Sequence, residues 1–256
     1  MSDPLLFEKD GAIARVTLNR PDAFNALNGD IRTGLRDAIT AIHKDDEIRV
    51  VILSGAGRGF CAGTDLTERH SDTTAQFLDR EYRPILNGIA TSSKIWIAQV
   101  HGSAAGIGAA LAMNCDLLTI ADDASIYMAF AAIGLVPDGG STWLLHRAMG
   151  SKHALQAILE GRKIPAADAL DYGLANAVCP ADTLADDTTA MAHRIAAGAP
   201  LAAAAAKRMM RAMDGLSYEG AISLEAQEQS VLSASKDARE GITAFLEKRK
   251  PEFKGV

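Results

Sequence analysis

The sequence predicts a mixed α/β core followed by a helical C-terminal subdomain, on three observations. Short apolar runs, alternating or continuous, recur through the first half of the chain as strands require. Two of those strands run directly into glycine-rich turns that open helical periods. From about Ser141 onward the pattern is helical, punctuated by Pro165, Gly173, Pro180 and Pro200. This divides the chain into a core over residues 1–197 and a helical subdomain over residues 198–256, with the boundary near Ala197 to Pro200.

The elements follow in order. Leu5 to Glu8, a turn at Lys9-Asp10-Gly11, and Ile13 to Leu18 form a hairpin with apolar residues on one face. Ile31, Leu35, Ala38, Ile39 and Ile42 recur at helical spacing, with Asn28 or Asp30 as the cap. Val50 to Leu53 is a buried strand that enters the turn Gly55 to Asp65, where missing side chains let backbone amides approach a ligand. A helix over Ala75 to Ile89 precedes the strand Ile95 to Val100, the turn His101 to Gly108 and a helix over Ala109 to Met113. Short strands are expected at Leu117 to Ile120 and Ser125 to Met128, then a turn from Gly134 to Gly140. Past Pro200 an alanine run up to Lys207 strongly favours helix. No internal repeat stands out.

Bulk properties exclude several function classes. A net charge of −6 offers no broad attraction to nucleic acid, so an anionic ligand has to be gripped locally. The stretch MSDPLLFEKDG lacks the basic start and apolar run of a secretory leader, and no segment reads as a membrane span, so the cytoplasm is the expected compartment. Cys61, Cys115 and Cys179 are widely spaced without a CxxC pair, which fits reduced thiols rather than a disulfide framework or metal site.

Phe60-Cys61-Ala62-Gly63-Thr64-Asp65-Leu66, together with the run from Gly102-Ser103-Ala104-Ala105-Gly106-Ile107-Gly108 to Asp116, resembles the crotonase (enoyl-CoA hydratase/isomerase) superfamily. Asn19-Arg20-Pro21 with Asn25-Ala26-Leu27, Gly134-Leu135-Val136-Pro137, Gly173-Leu174 and the segment Glu247 to Phe253 agree in order, so the resemblance covers nearly the whole chain. It implies a spiral of ββα units forming two roughly perpendicular sheets, with C-terminal helices that assemble a homotrimer or a dimer of trimers. It implies an acyl-CoA thioester substrate and no cofactor or metal beyond the coenzyme A carried by that substrate. The thioester carbonyl would be held by the backbone amides of Thr64 and Ile107. Substrate or coenzyme A contacts would fall to Ala26, Ala62, Asp65, Gly106, Phe130, Phe245 and Lys248, the last two serving a neighbouring subunit, with Arg249 and Lys250 adding positive charge. The chemistry explains the amides: proton removal beside a thioester, or addition to its conjugated alkene, puts negative charge on the carbonyl oxygen. One preorganised donor stabilises such charge by roughly 2.7–4 kcal/mol, and the positive end of the following helix adds to it.

The same comparison of motifs speaks to reaction type. Hydratases resembling the mitochondrial enzyme use two glutamates, which by counting from Asp116 and Pro137 fall here on Ala110 and Phe130. Neither transfers a proton, which argues against ordinary water addition. Asp138 instead matches an aspartate of isomerase-like and dehalogenase-like members, and Ile133 to Leu145 resembles the phenylacetate-degradation-type enoyl-CoA isomerase branch. Asp138 is therefore the expected proton carrier, its pKa raised by an apolar pocket. Pro137-Asp138-Gly139 is equally a favoured turn in which the carboxylate would bond backbone amides and cap the next helix. The expected function is an acyl-CoA isomerase. The alternatives are an enoyl-CoA hydratase with unusual residues and a non-catalytic acyl-CoA-binding protein.

Other candidates rank lower. His101 and Ser103 invite a hydrolase reading but lack a GxSxG elbow. Gly55-Ala-Gly-Arg-Gly lacks the full dinucleotide fingerprint. Cys61 reads as a small apolar neighbour of the turn rather than a nucleophile. Glu68, Asp79 and Glu81 read as a solvated face with a possible second carboxylate among them, and Phe77, Leu78, Tyr82, Trp96, Phe130 and Trp143 as core or pocket wall.

Overall fold

In the computed structural model of the protein, residues 3–69 and 71–256 are described; Met1 and Ser2, which open the stretch read for a leader, and His70 lie outside the described residues. The hairpin is tighter than expected. Strand β1 (Leu5–Asp10) pairs through Asp10↔Ile13 with β2 (Ile13–Leu18), leaving a two-residue turn at Gly11 and Ala12 with Gly11 at φ +56°. Helix α1 (Gly29–Lys44) buries the predicted stripe, and Asn28 rather than Asp30 caps it, accepting from Ile31 N at 3.1 Å.

After β3 (Val50–Gly55) the single helix expected over Ala75 to Ile89 is broken into α2 (Thr74–Phe77), a π turn at Leu78–Tyr82, and α3 (Arg83–Ala90). Pro84 supplies the reason: it has no N–H to give Arg80 and its ring crowds that carbonyl, so the regular ladder cannot run through. The ladder resumes by the wider bond from Arg83 N to Leu78 O.

Next come β4 (Ile95–Val100), β5 (Ser103–Ala105), α4 (Ile107–Asn114), β6 (Leu117–Ala121), β7 (Ser125–Tyr127) and α5 (Ser141–Glu160, broken at Gly150). The region read as wholly helical then holds two more strands, β8 (Lys163–Pro165) and β9 (Ala177–Cys179), around α6 (Ala166–Asp171). Three-residue strands are too short to show a period of two, so only their ladders reveal them. Helices α7 (Leu184–Ala196), α8 (Pro200–Ala212), α9 (Tyr218–Ser233) and α10 (Lys236–Glu247) complete the chain. No helix among the described residues is long and apolar enough to cross a membrane.

The larger sheet has the order β1-β2-β3-β4-β6-β9, parallel except at the hairpin; the smaller is β5-β7-β8. Its central strands read as continuous apolar runs because both faces are covered. Val51, Leu53, Trp96 and Ala98 face the main core, while Val50, Ile52 and Ile97 face Ala192 and Ala196 of α7.

Helix α8 is tied to the core by a buried cation. Lys207 Nζ lies 2.7 Å from Asp116 and donates to the carbonyls of Ile89 at 2.8 Å and Lys94 at 3.0 Å, while Arg211 braces the other oxygen of Asp116 at 3.2 Å. Removing one member of a buried pair strands its partner's charge. Lys207→Met is expected to cost about 3–5 kcal/mol, read by urea unfolding; a loss below 1 kcal/mol would show the pair to be dispensable.

Candidate active site

Two glycine turns meet beyond β3 and β4, and a buried asparagine organises the first. Asn25, at φ +58°, donates from Nδ2 to the carbonyls of Ala56 and Gly59 at 2.8 Å and of Phe60 at 3.2 Å. Its Oδ1 accepts from Arg20 N at 2.9 Å. The sequence marked Asn25 only as part of a motif; an asparagine's tolerance of the left-handed region was the available signal.

The turn then joins the second loop as an added strand. Cys61 N donates to Ser103 O at 3.2 Å, and Ala105 N to Cys61 O at 2.8 Å. On the other flank Leu27 N donates to Gly63 O at 2.8 Å and Asp65 N to Leu27 O at 3.3 Å. Thr64 is thus held through both neighbours, while its own N–H finds no acceptor among the described residues. The same is true of Ile107 N–H, which opens α4 behind Gly106 at φ +55°. The two loops touch: a methyl on Gly63, at φ +100°, would lie 3.0 Å from Ala105 O and 3.6 Å from Ile107 N. Two free backbone donors on touching loops, one of them at a helix N-terminus, suit an anionic oxygen.

Gly63→Ala tests the aperture. Its left-handed backbone is expected to cost about 1–3 kcal/mol, and the methyl beside Ile107 N to lower turnover at least roughly tenfold. Gly134→Ala, at φ +71° with nothing within 4 Å, is expected to lose stability alone. Equal turnover in the two variants would remove the aperture.

Asp138 stands on the turn between the Ala131–Ile133 helical turn and α5. Its Oδ1 is buried and has no hydrogen-bond partner, and α5 has no side-chain cap. The carboxylate therefore does not cap the helix; the backbone carbonyl of Asp138 accepts from Ser141 N at 3.0 Å instead. Burial pushes its pKa up to about 6, against a small opposing effect of its own N–H. The next residue, Gly139, lies on α4: a methyl there would sit 2.8 Å from Ala110 Cβ and 3.1 Å from Ile107 Cγ1. A small side chain at position 110 is what lets this turn close on the helix.

A cleft of about 820 Å³ runs past Asp138, walled by Leu78, Leu86, Val136, Trp143 and Leu144, with Tyr82 and Gly139 also lining it. Thr64 and Ile107 are not among its walls; each is one contact away, through Tyr82 and Gly139 respectively.

The remaining candidates are dispersed. Phe130 is buried, its ring tip 3.8 Å from where a methyl on Gly106 would stand. Ala62 is exposed and its N–H donates to Phe24 O at 2.9 Å; Ala26 O accepts from Arg20 at 2.8 Å. The Asp65 carboxylate accepts from the Thr67 hydroxyl at 2.6 Å and N–H at 3.1 Å and from Arg20 at 3.0 Å, and these bonds, Thr67's above all, hold its pKa down. Phe245 and Lys248 sit exposed on and just after α10, outside this chain's cleft, and Arg249 beside them is bound to Glu240 at 2.6 Å and Glu247 at 2.7 Å. His101 Nε2 faces Gly57 O at 3.0 Å rather than Ser103, and burial pushes the Cys61 thiol up to about 12, so neither forms a nucleophile. Glu68 is exposed and Glu81 half-buried, and both clamp Arg32, at 2.9 Å and 3.3 Å. Asp79 does line the cleft, paired with Arg83 at 2.6 Å.

Comparison with known proteins fits this arrangement. The family model for Enoyl-CoA hydratase/isomerase matches residues 8–256. The chain is 35% identical over 261 residues to 1,2-epoxyphenylacetyl-CoA isomerase of Escherichia coli (strain K12), covering 100% of both. It is 37% identical over 252 residues to a probable enoyl-CoA hydratase of Rhodobacter capsulatus, covering 97% of each. Among solved structures, enoyl-CoA hydratase from Bacillus anthracis matches with a TM-score of 0.93 at 30% identity, over 99% of this chain and 100% of that one. Full-length matches in sequence and fold leave one assignment: the chain belongs to the enoyl-CoA hydratase/isomerase family and has the crotonase fold.

Proposed function

We propose that this enzyme is an acyl-CoA isomerase that moves a proton through a thioester enolate. The observation that carries the reading is the buried, unpartnered carboxylate oxygen of Asp138 on the turn packed against Ile107. The carboxylate takes a proton from the carbon beside the thioester, and the released electron pair moves onto the carbonyl oxygen, held by Thr64 N–H and Ile107 N–H. The protonated Asp138 returns the proton to the far carbon of the dienolate, the double bond shifts, and atoms and charge balance without another reactant. A pKa of about 6 leaves Asp138 mostly ionised near neutrality, yet a better base than an exposed carboxylate.

Hydration needs a water held between two acid–base groups, and Ala110 and Phe130 stand where the hydratase glutamates would. The relatives named as hydratases keep that reaction as the second reading. Coenzyme A enters as part of the substrate and no other cofactor is required. Assembly into trimers or paired trimers belongs to the same proposal, supported by α9, which buries none of its residues within the chain. So do a cytoplasmic location, coenzyme A contacts from Phe245 and Lys248 of a neighbouring copy, and the division at 197 into core and helical subdomain.

The test is incubation of wild type and Asp138→Ala with crotonyl-, 3-enoyl- and unsaturated cyclic acyl-CoA esters in heavy water, followed by mass spectrometry. Deuterium uptake with a shifted double bond, lost in the variant, is the expected result. A product heavier by one water would establish hydration instead, and binding without either change would leave an acyl-CoA binder.

A further inference from the structure

Among the described residues, Tyr82 is the one side chain that both walls the cleft and bonds to the oxyanion loop. Its hydroxyl lies 2.9 Å from Thr64 Oγ1, either group donating, while its ring lines the cleft beside Leu78 and Leu86. The residue whose side chain it grips is the residue whose N–H is free.

The surroundings fix both ends of that bond. The Tyr82 ring stands edge-on to Phe77, with centroids 5.6 Å apart, and the Arg32 guanidinium lies 5.7 Å from the Tyr82 centroid and 5.0 Å from that of Phe77. Arg32 is itself buried and donates to Leu27 O at 2.7 Å. Leu27 is the residue that clamps Thr64 from both flanks, through Gly63 O and Asp65 N. Arg32 also binds Glu68 and Glu81, and Glu81 neighbours Tyr82 on the π turn. Backbone and side chain of Thr64 therefore lead back to one guanidinium, and the helical segment that walls the cleft is part of the same unit.

We propose that Tyr82 is a positioning residue that aims the Thr64 N–H, so that filling the cleft against Leu78, Tyr82 and Leu86 sets the geometry of the oxyanion hole. π turns are frequent at functional sites, and Tyr82 closes this one. The inference rests on the hole assigned above to Thr64 and Ile107, but not on which reaction follows. Its consequence is that acyl groups too short to reach this wall are polarised less, beyond the affinity they lose with their missing apolar contact.

The experiment reads polarisation directly. Octanoyl-CoA, carrying carbon-13 at the thioester carbonyl, is bound to the intact enzyme and its carbonyl stretch measured by difference infrared spectroscopy, with butyryl-CoA as the short comparison expected to shift less. Wild type is expected to lower that frequency relative to the free ester. Tyr82→Phe, which keeps the ring but not the hydroxyl, is expected to reverse much of the shift while the dissociation constant stays near the wild-type value. Turnover of the isomerised substrate should fall roughly three- to tenfold through kcat rather than KM. Thr64→Val should match it, Thr64→Ser should restore the shift, and the Thr64→Val/Tyr82→Phe double variant should be no worse than either single one.

A full wild-type shift in Tyr82→Phe, or losses that add in the double variant, would overturn the inference and leave the proposed function standing. No shift in wild type would remove the hole itself, and both readings with it. If Tyr82→Phe does not fold, the Thr64→Ser and Thr64→Val pair decides: equal carbonyl shifts in the two overturn the proposal.

Discussion

Asp138→Asn is expected to abolish most turnover and at the same time to stabilise the protein at neutral pH. The amide keeps the shape of the side chain but cannot shuttle a proton, so the rate of deuterium exchange beside the thioester should fall by about 10²–10⁴. In the wild type, kcat/KM should rise with pH through about 6 as the base form appears, and then level off.

The stability change follows from the same burial. Between pH 3.8 and about 6 the folded protein holds a proton on Asp138 that the unfolded chain has released, so stability falls as pH rises through that window. Below it the penalty is absent; above it the penalty is complete. Raising the pKa from 3.8 to about 6 corresponds to about 3 kcal/mol, which partial solvent screening reduces to about 1–2 kcal/mol. Asn escapes it, so melting should rise by about 2–4 °C per kcal/mol at pH 8 and not at pH 3.5. A variant that loses activity without this pH-dependent gain would point to a structural role for the carboxylate. One that retains exchange would remove Asp138 from the chemistry.

Ile107→Pro is the second large expected effect, because it deletes one backbone donor while also trimming a buried side chain. Ile107 is the first residue of α4, where proline's fixed φ suits the helix and no intrahelical bond is lost. The missing N–H should lower kcat by about 10²–10³, with acyl-CoA binding largely kept. The side chain is buried, so Ile107→Val serves as the control for packing and is expected to cost only about 0.5–1.5 kcal/mol and little rate. Comparable kinetics for Pro and Val would show that Ile107 N–H is not a donor to the substrate.

Much of this architecture was legible along the chain because it repeats with a local period or is marked by glycine. The α1 stripe, the buried β3 and β4 runs and the two glycine turns lie where their apolar spacing puts them. The order of motifs was enough to name the family, since backbone donors require only the loop shapes that Gly63 and Gly106 permit. Asp138 was legible as a choice between base and helix cap. The choice itself was not, because a cap and a desolvated base share one dipeptide and differ only in what surrounds them.

What the sequence determined by itself, then, is the family fold, the two loops and a short set of chemical candidates, all encoded in periodicity and in residues that license unusual backbone. The tertiary structure decided the rest: that β8 and β9 exist, that Asp65 braces Arg20, and that one carboxylate oxygen of Asp138 is buried without a partner. It also decided that Tyr82 reaches Thr64 across 18 residues of chain. These depend on desolvation and on pairings between distant segments, energies that exist only once the chain has closed on itself and that no local pattern records.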